Sequence, residues 1–223
     1  MNMVTDEINV KGIVLDTFPQ NDYNKRLIIL TDELGKITVF VNNARKPGSR
    51  FAAVSQKFVM ADLTLRQGRN SYTLVKASII MPFIELTADI EMMCYASYMC
   101  EVTSYFTREG LGARDELNLL YLSFRELIRA RLRFSLIKSI FECKLLDIEG
   151  IGFQTEIYKK HGGIMSPTVE YAVQYILSRE ISEGFSFDLT PEAESELSIL
   201  SSDYTKKHCD THFKSLDILS SLM

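Results

Sequence analysis

The chain has 223 residues and a formal net charge of -4, with 46% hydrophobic and 24% charged residues, the balance of a globular protein with a buried core rather than a disordered one. No apolar run approaches the roughly 18 residues of a membrane span, and the opening Met1-Asn2-Met3-Val4-Thr5-Asp6-Glu7 lacks the basic and apolar regions of a secretory signal. Four cysteines (Cys94, Cys100, Cys143, Cys209) form no CxxC pair and read as reduced, mostly buried thiols of a cytosolic protein.

The first third is strand-like. Val10–Asp16, Lys25–Thr31, Lys36–Val41, Gln56–Leu65 and Tyr72–Ile80 are short runs rich in Val, Ile, Thr, Phe and Tyr. Alternation as in Lys36-Ile37-Thr38-Val39 sends polar and apolar side chains to opposite faces. Asp32-Glu33-Leu34-Gly35 and Gln67-Gly68-Arg69-Asn70 supply turn residues between runs, and Asn42–Ser55 makes a longer connection. Five strands so spaced fit a small Greek-key barrel of the OB type, with an SH3-like barrel as the alternative.

After Pro82 the period becomes helical. Met92, Ala96, Met99, Thr103 and Phe106 share one face, as do Leu117, Leu120, Phe124 and Leu127, and then Phe134, Ile137, Phe141, Leu145 and Ile148. Ser166-Pro167 and Thr190-Pro191 each place a hydroxyl at N-cap and a proline at the first helical position. Glu149–Ser166, with four glycines, reads as a loop or short irregular insert. The expectation is an α+β chain of two domains: a five-stranded barrel over 1–82 and a helical domain over 83–223.

Candidate catalytic chemistry is sparse. His208 and His212 are four apart on a predicted helix, a spacing that lets two imidazoles face one metal, but no third ligand is indicated. His161-Gly162-Gly163 has no accompanying nucleophile elbow. Gly110-Leu111-Gly112 lacks the third glycine of a dinucleotide fingerprint, and there is no Walker A sequence. No cofactor or metal is expected.

Charge is more informative. Residues 1–82 hold 11 Lys/Arg against 7 Asp/Glu, and the remainder 14 against 22. Between positions 36 and 76 lie Lys36, Arg45, Lys46, Arg50, Lys57, Arg66, Arg69 and Lys76 against the single acid Asp62. A basic third on an acidic chain has a polyanion as its natural partner; an acidic protein surface is the alternative. Asn42–Phe51 combines three cations, two amides and an aromatic, the groups that phosphate contact and base stacking require. Phe51 and Tyr72 are candidates for stacking or for the barrel core.

Several segments together resemble the bacterial recombination-repair mediator family RecO. They are Lys11-Gly12-Ile13-Val14-Leu15, Asn24–Lys36 and Asn43–Phe51 in the first half. Gln56-Lys57-Phe58 and Tyr72–Ala77 look like that family's fourth and fifth strands, Ile140-Phe141-Glu142-Cys143-Lys144-Leu145-Leu146 like its "FExKLL" helix, and His212-Phe213-Lys214-Ser215-Leu216 like its C-terminal "KSL" element. The resemblance implies an OB-fold barrel joined to a helical domain, in a cytoplasmic, nucleoid-associated, non-enzymatic protein of DNA repair. It implies binding of single- and double-stranded DNA, ATP-independent annealing, and work with RecR to load RecA. It also implies contact with the acidic, aromatic-ended tail of single-stranded-DNA-binding protein. Lys36, Arg45, Lys46 and Arg50 match the family's basic DNA contacts; Lys57 and Arg69 join them on charge. For the tail, which needs an apolar pocket and a cation, Arg133, Lys138 and Lys144 beside Phe134 and Phe141 are the candidates. One departure stands out: Gly152–Gly163 has no cysteine where many members carry a CxxC…CxxC zinc module, so that module reads as deleted.

Overall fold

The computed structural model of the chain describes residues 7–69, 71–160 and 162–222. The opening stretch Met1–Asp6, Asn70 of the expected turn and His161 of the His-Gly-Gly sequence lie outside the described residues. Five strands come first: β1 (Glu7–Gln20), β2 (Asn24–Thr31), β3 (Gly35–Val41), β4 (Met60–Gln67) and β5 (Tyr72–Met81). They close into a barrel in the order β1-β2-β3-β5-β4. All pairings are antiparallel except β3 with β5, which run parallel through Val39↔Tyr72 and Phe40↔Thr73. This five-stranded Greek-key closure is the OB arrangement.

The alternation read in β3 explains its facing: Ile37, Val39 and Val41 are buried while Lys36, Thr38 and Phe40 are not. With Leu27, Ile29, Leu63, Leu65 and Leu74 they fill the barrel. β1 is long enough to pair with β4 through its first half and β2 through its second, bending at a bulge between Val14 and Asp16.

The fourth strand starts later than expected, at Met60 rather than Gln56. Phe58 has a φ of 73°, which no strand residue adopts. Its N–H donates to the Val14 carbonyl at 2.8 Å, and Val14 N–H donates to the Val59 carbonyl at 3.0 Å. Gln56–Val59 thus tie the end of the long connection to the β1 bulge instead of extending β4.

The chain divides into two compact units, and the partition differs from 1–82 and 83–223. The first runs to Asp89 and includes Cys100–Leu117; the second comprises Ile90–Met99 and Asn118–Met223. Within the first, the 104–113 segment is laced to the β2–β3 turn. Lys36 N–H donates to the Arg108 carbonyl (3.2 Å), Gly110 N–H to Leu34 (2.9 Å) and Ala113 N–H to Asp32 (3.0 Å). Gly35 makes this possible: its φ is +66°, and a Cβ there would lie 2.1 Å from the Arg108 carbonyl oxygen. Gly35→Ala is therefore expected to cost about 2–3 kcal/mol of stability, left-handed strain plus a backbone clash, measurable as a lowered urea midpoint.

Seven helices follow the barrel among the described residues: α1 (Ile90–Phe106), α2 (Arg114–Arg129), α3 (Phe134–Ile148), α4 (Thr155–Lys160), α5 (Pro167–Ser178), α6 (Pro191–Lys207) and α7 (Lys214–Leu222). Ser166 and Thr190 cap α5 and α6 as their sequence predicts, accepting from the Val169 and Ala193 amides at 3.3 and 3.4 Å. α4 is a helical turn inside the expected loop, closed by Gly162 and Gly163 N–H groups donating to the Lys159 and Tyr158 carbonyls. α3 is buried on every side from Leu136 to Leu146, the position of a central helix. It packs through Leu136, Ile140 and Cys143 on Val169, Val173, Ile176, Leu197 and Leu200 of α5 and α6.

All four cysteines are buried thiols outside any disulfide. Burial pushes the Cys100 and Cys143 thiols up to about 12 and Cys209 to about 11. Because only the thiolate reacts, native protein at pH 8 is expected to resist Ellman's reagent, with four thiols titrating after denaturation. Rapid native labelling would contradict this packing.

Candidate nucleic-acid interface

The long connection between β3 and β4 builds the basic feature of the barrel. Ala44 and Val54 anchor it in the core. Arg45 N–H donates to the Tyr23 carbonyl (2.8 Å) and Asn43 N–H to Asn24 Oδ1 (2.9 Å), stitching it to the β1–β2 turn. Successive turns then run from Asn43 to Ser55, with Gly48 at a φ of +72°. The result is an open cleft of about 550 Å³ between this loop and strands β4 and β5. Lys46, Arg50 and Arg66 line it with the amides Asn42 and Asn43, Ser49, Thr73 and Phe51. Three cations, two amides and two hydroxyls in one concavity suit phosphate oxygens.

The expected DNA-contact residues do not all gather here. Lys46 and Arg50 line the cleft. Arg50 lies over the Phe51 ring at 4.6 Å and reaches the Val75 carbonyl at 3.3 Å. Arg45 is exposed in the same loop, its guanidinium donating to the Asn21 carbonyl at 3.3 Å. Arg69 is exposed in the β4–β5 turn, outside the cleft lining. Lys57 is half-buried, its ammonium 5.3 Å from the Phe58 ring centre. Lys36 is a correction: its Nζ donates to the Ser104 carbonyl, and burial and Arg108 hold its ammonium below the usual lysine range. It fastens the 104–113 segment and does not face the cleft.

Arg66 is the cleft cation that the motif resemblance did not mark. It stands opposite Thr73 on β5 and Glu7 on β1, with an exposed ion pair to Glu7 at 3.3 Å that adds little stability. Strand alternation carried the signal, since it turns outward between the buried Leu65 and the sheet's end. The two aromatic candidates separate. Tyr72 is buried in the barrel core, where burial and the Glu109 carboxylate push its phenol up. Phe51 packs partly against the core and partly lines the cleft.

In the helical unit the expected tail-binding residues are mostly core. Phe141 is fully buried, Lys138 and Lys144 nearly so. Lys138 donates to Glu142 Oε1 and Ser202 Oγ, both at 2.8 Å. Lys144 donates to the Arg179 carbonyl, and burial lowers its pKa. Arg133 is half-exposed but engaged with Glu194 and the Leu189 carbonyl, and Phe134 packs edge-on to Tyr95. Phe141, Lys138 and Lys144 thus lie in the core rather than at the surface, a correction to the sequence-based expectation for these three. The helical unit does hold a cavity of about 160 Å³, lined by Phe153, Tyr158, Ile164, Leu200, Tyr204 and Lys207 among others.

His208 and His212 do not share a helix either. His208 ends α6 with Nδ1 2.9 Å from the Tyr204 carbonyl, while His212 lies beyond it against Asp217. Among the described residues no cluster of three or more His, Cys, Asp or Glu side chains could hold a metal. No helix of the described residues is long and apolar enough to cross a membrane.

Fold and cleft together define an OB barrel with a cation-lined groove, joined to helices. The family model described as "Recombination protein O N terminal" matches residues 3–83, the part of the chain that holds the five barrel strands. The chain is similar to curated proteins named DNA repair protein RecO. The one from Clostridium acetobutylicum is 24% identical over 94% of this chain and 96% of its own length. Those from Clostridium novyi and Caldicellulosiruptor bescii are 27% and 31% identical over 74% and 66% of this chain. In these last two the match spans 64% and 60% of the relative's length.

Proposed function

We propose that this chain is a non-catalytic recombination mediator of bacterial DNA repair that grips nucleic-acid backbones through the basic cleft of its barrel. The carrying observation is the convergence of Lys46, Arg50 and Arg66 with amide and hydroxyl donors in one groove. Such groups contact phosphates without reading bases, so single and double strands are both ligands. Cations bound to two strands lower their mutual repulsion, and pairing nucleates without ATP. The wider role we propose is the one the sequence resemblance implies: cooperation with RecR in loading RecA onto strands coated by single-stranded-DNA-binding protein, in the cytoplasm at the nucleoid. For the acidic, aromatic-ended tail of that protein, the aromatic side of the helical unit's cavity offers an apolar pocket and Lys207 a cation, in a lining that also holds Glu196 and Asp203.

Fluorescence anisotropy of labelled single strands at several salt concentrations tests the reading. Neutralising about four to six phosphates gives a log–log slope of roughly -3 to -4 on single strands, similar for unrelated sequences. Absence of binding at low salt would favour a protein-docking module whose basic loop meets an acidic protein surface.

A further inference from the structure

Besides the buried Phe58 under Lys57, three aromatic rings of the barrel unit each carry a cation over one face. Arg26 lies 4.6 Å from the Phe18 ring centre, Lys46 5.2 Å from Tyr23, and Arg50 4.6 Å from Phe51. Phe51 belongs to the cleft. Phe18 and Tyr23 are 37% and 50% exposed. Strand register shows where they stand. Phe18 is opposite Arg26, Arg26 opposite Phe40, Phe40 opposite Thr73, and Thr73 opposite Arg66. This outward row crosses all five strands and ends on two residues of the cleft. Tyr23 sits in the β1–β2 turn, to which the cleft loop is bonded. Of the acids in this region, Glu7 is paired with Arg66 and Asp22 lies in the β1–β2 turn.

We infer that Phe18–Arg26 and Tyr23–Lys46 are two base-stacking stations, so that a single strand is held by its bases beside the cleft as well as by its phosphates within it. This rests on the phosphate-gripping reading above and extends it. Each station pairs an exposed ring with a cation, the combination that receives one base and one phosphate of the same nucleotide. A duplex, whose bases are stacked inside, uses the cleft alone. The two stations therefore favour single strands, and they release bases when pairing begins.

The test compares a labelled single strand with an abasic strand of equal phosphate number, on the native chain and on Phe18→Leu/Tyr23→Leu. The native chain is expected to bind the abasic strand at least about ten-fold more weakly, with the same salt slope. The double variant is expected to bind both strands alike, at the abasic level, and to lose the quenching of 2-aminopurine seen with the native chain. Equal affinity of the native chain for both strands, at a steep salt slope, would overturn the stacking stations and leave the phosphate grip standing. A double variant that keeps the full preference would place stacking elsewhere and overturn this assignment. Salt-insensitive binding or none, to either strand, would overturn both.

Discussion

Arg50→Ala combined with Arg66→Ala is expected to weaken single-strand binding about 100-fold at low salt and to flatten the salt slope by about 1.4. Each lost phosphate contact removes about 0.7 from the slope on single strands and a charge-assisted hydrogen bond of roughly 1.5–3 kcal/mol. The loss should be the same for unrelated sequences, because backbone contacts carry no base information. Stability should change little: both residues are exposed, and Arg66 gives up only its surface pair with Glu7. Lys36→Ala is the informative contrast. Its ammonium is spent on the Ser104 carbonyl, so that change should lower stability while leaving the slope unaltered. A double variant with native slope would move the binding face off this cleft.

The second large effect concerns folding. Glu142 is 1% exposed and accepts three hydrogen bonds, from Tyr98 Oη (2.5 Å), Lys138 Nζ (2.8 Å) and Ser201 Oγ (2.7 Å). Lys138 also lies over the Tyr98 ring at 5.2 Å. Glu142→Ala leaves the buried Lys138 ammonium without its counter-charge, a loss of about 3–5 kcal/mol. Set against a typical domain stability of about 5–15 kcal/mol, this is a severe change, visible as an early first transition in urea. Glu142→Leu combined with Lys138→Met should recover most of the loss, since an apolar pair of similar volume leaves no charge stranded. A single variant within about 1 kcal/mol of native would mean that Lys138 finds other partners.

That network shows why part of the molecule was illegible. Residues 138, 142 and 144 carry charges on a helix and read as a surface. Their partners Ser201, Ser202 and the Arg179 carbonyl lie 35 to 64 residues away, and no local pattern announces them. The resemblance marked Glu142 within a motif without its reason, which is burial among hydroxyls and an ammonium. Lys36 misled in the same way, its acceptor lying 68 residues on. Arg66 was visible in the charge count, but only the pairing of β4 with β5 placed it across the groove from the β3–β4 loop.

Features that depend on neighbours within a few residues are legible along the chain. Alternation set which side of β3 enters the core, Ser166-Pro167 and Thr190-Pro191 set two helix starts, and the change of period after Pro82 separated strands from helices. These follow from staggered side chains and capping bonds that close within about one turn. The closure order β1-β2-β3-β5-β4, the inclusion of Cys100–Leu117 with the barrel and the fate of each cation emerge only when distant segments pack together. A lysine or arginine head can sit several ångströms from its own backbone, so whether it meets solvent, a carbonyl or a phosphate is settled by what the fold brings within about 3 Å of it.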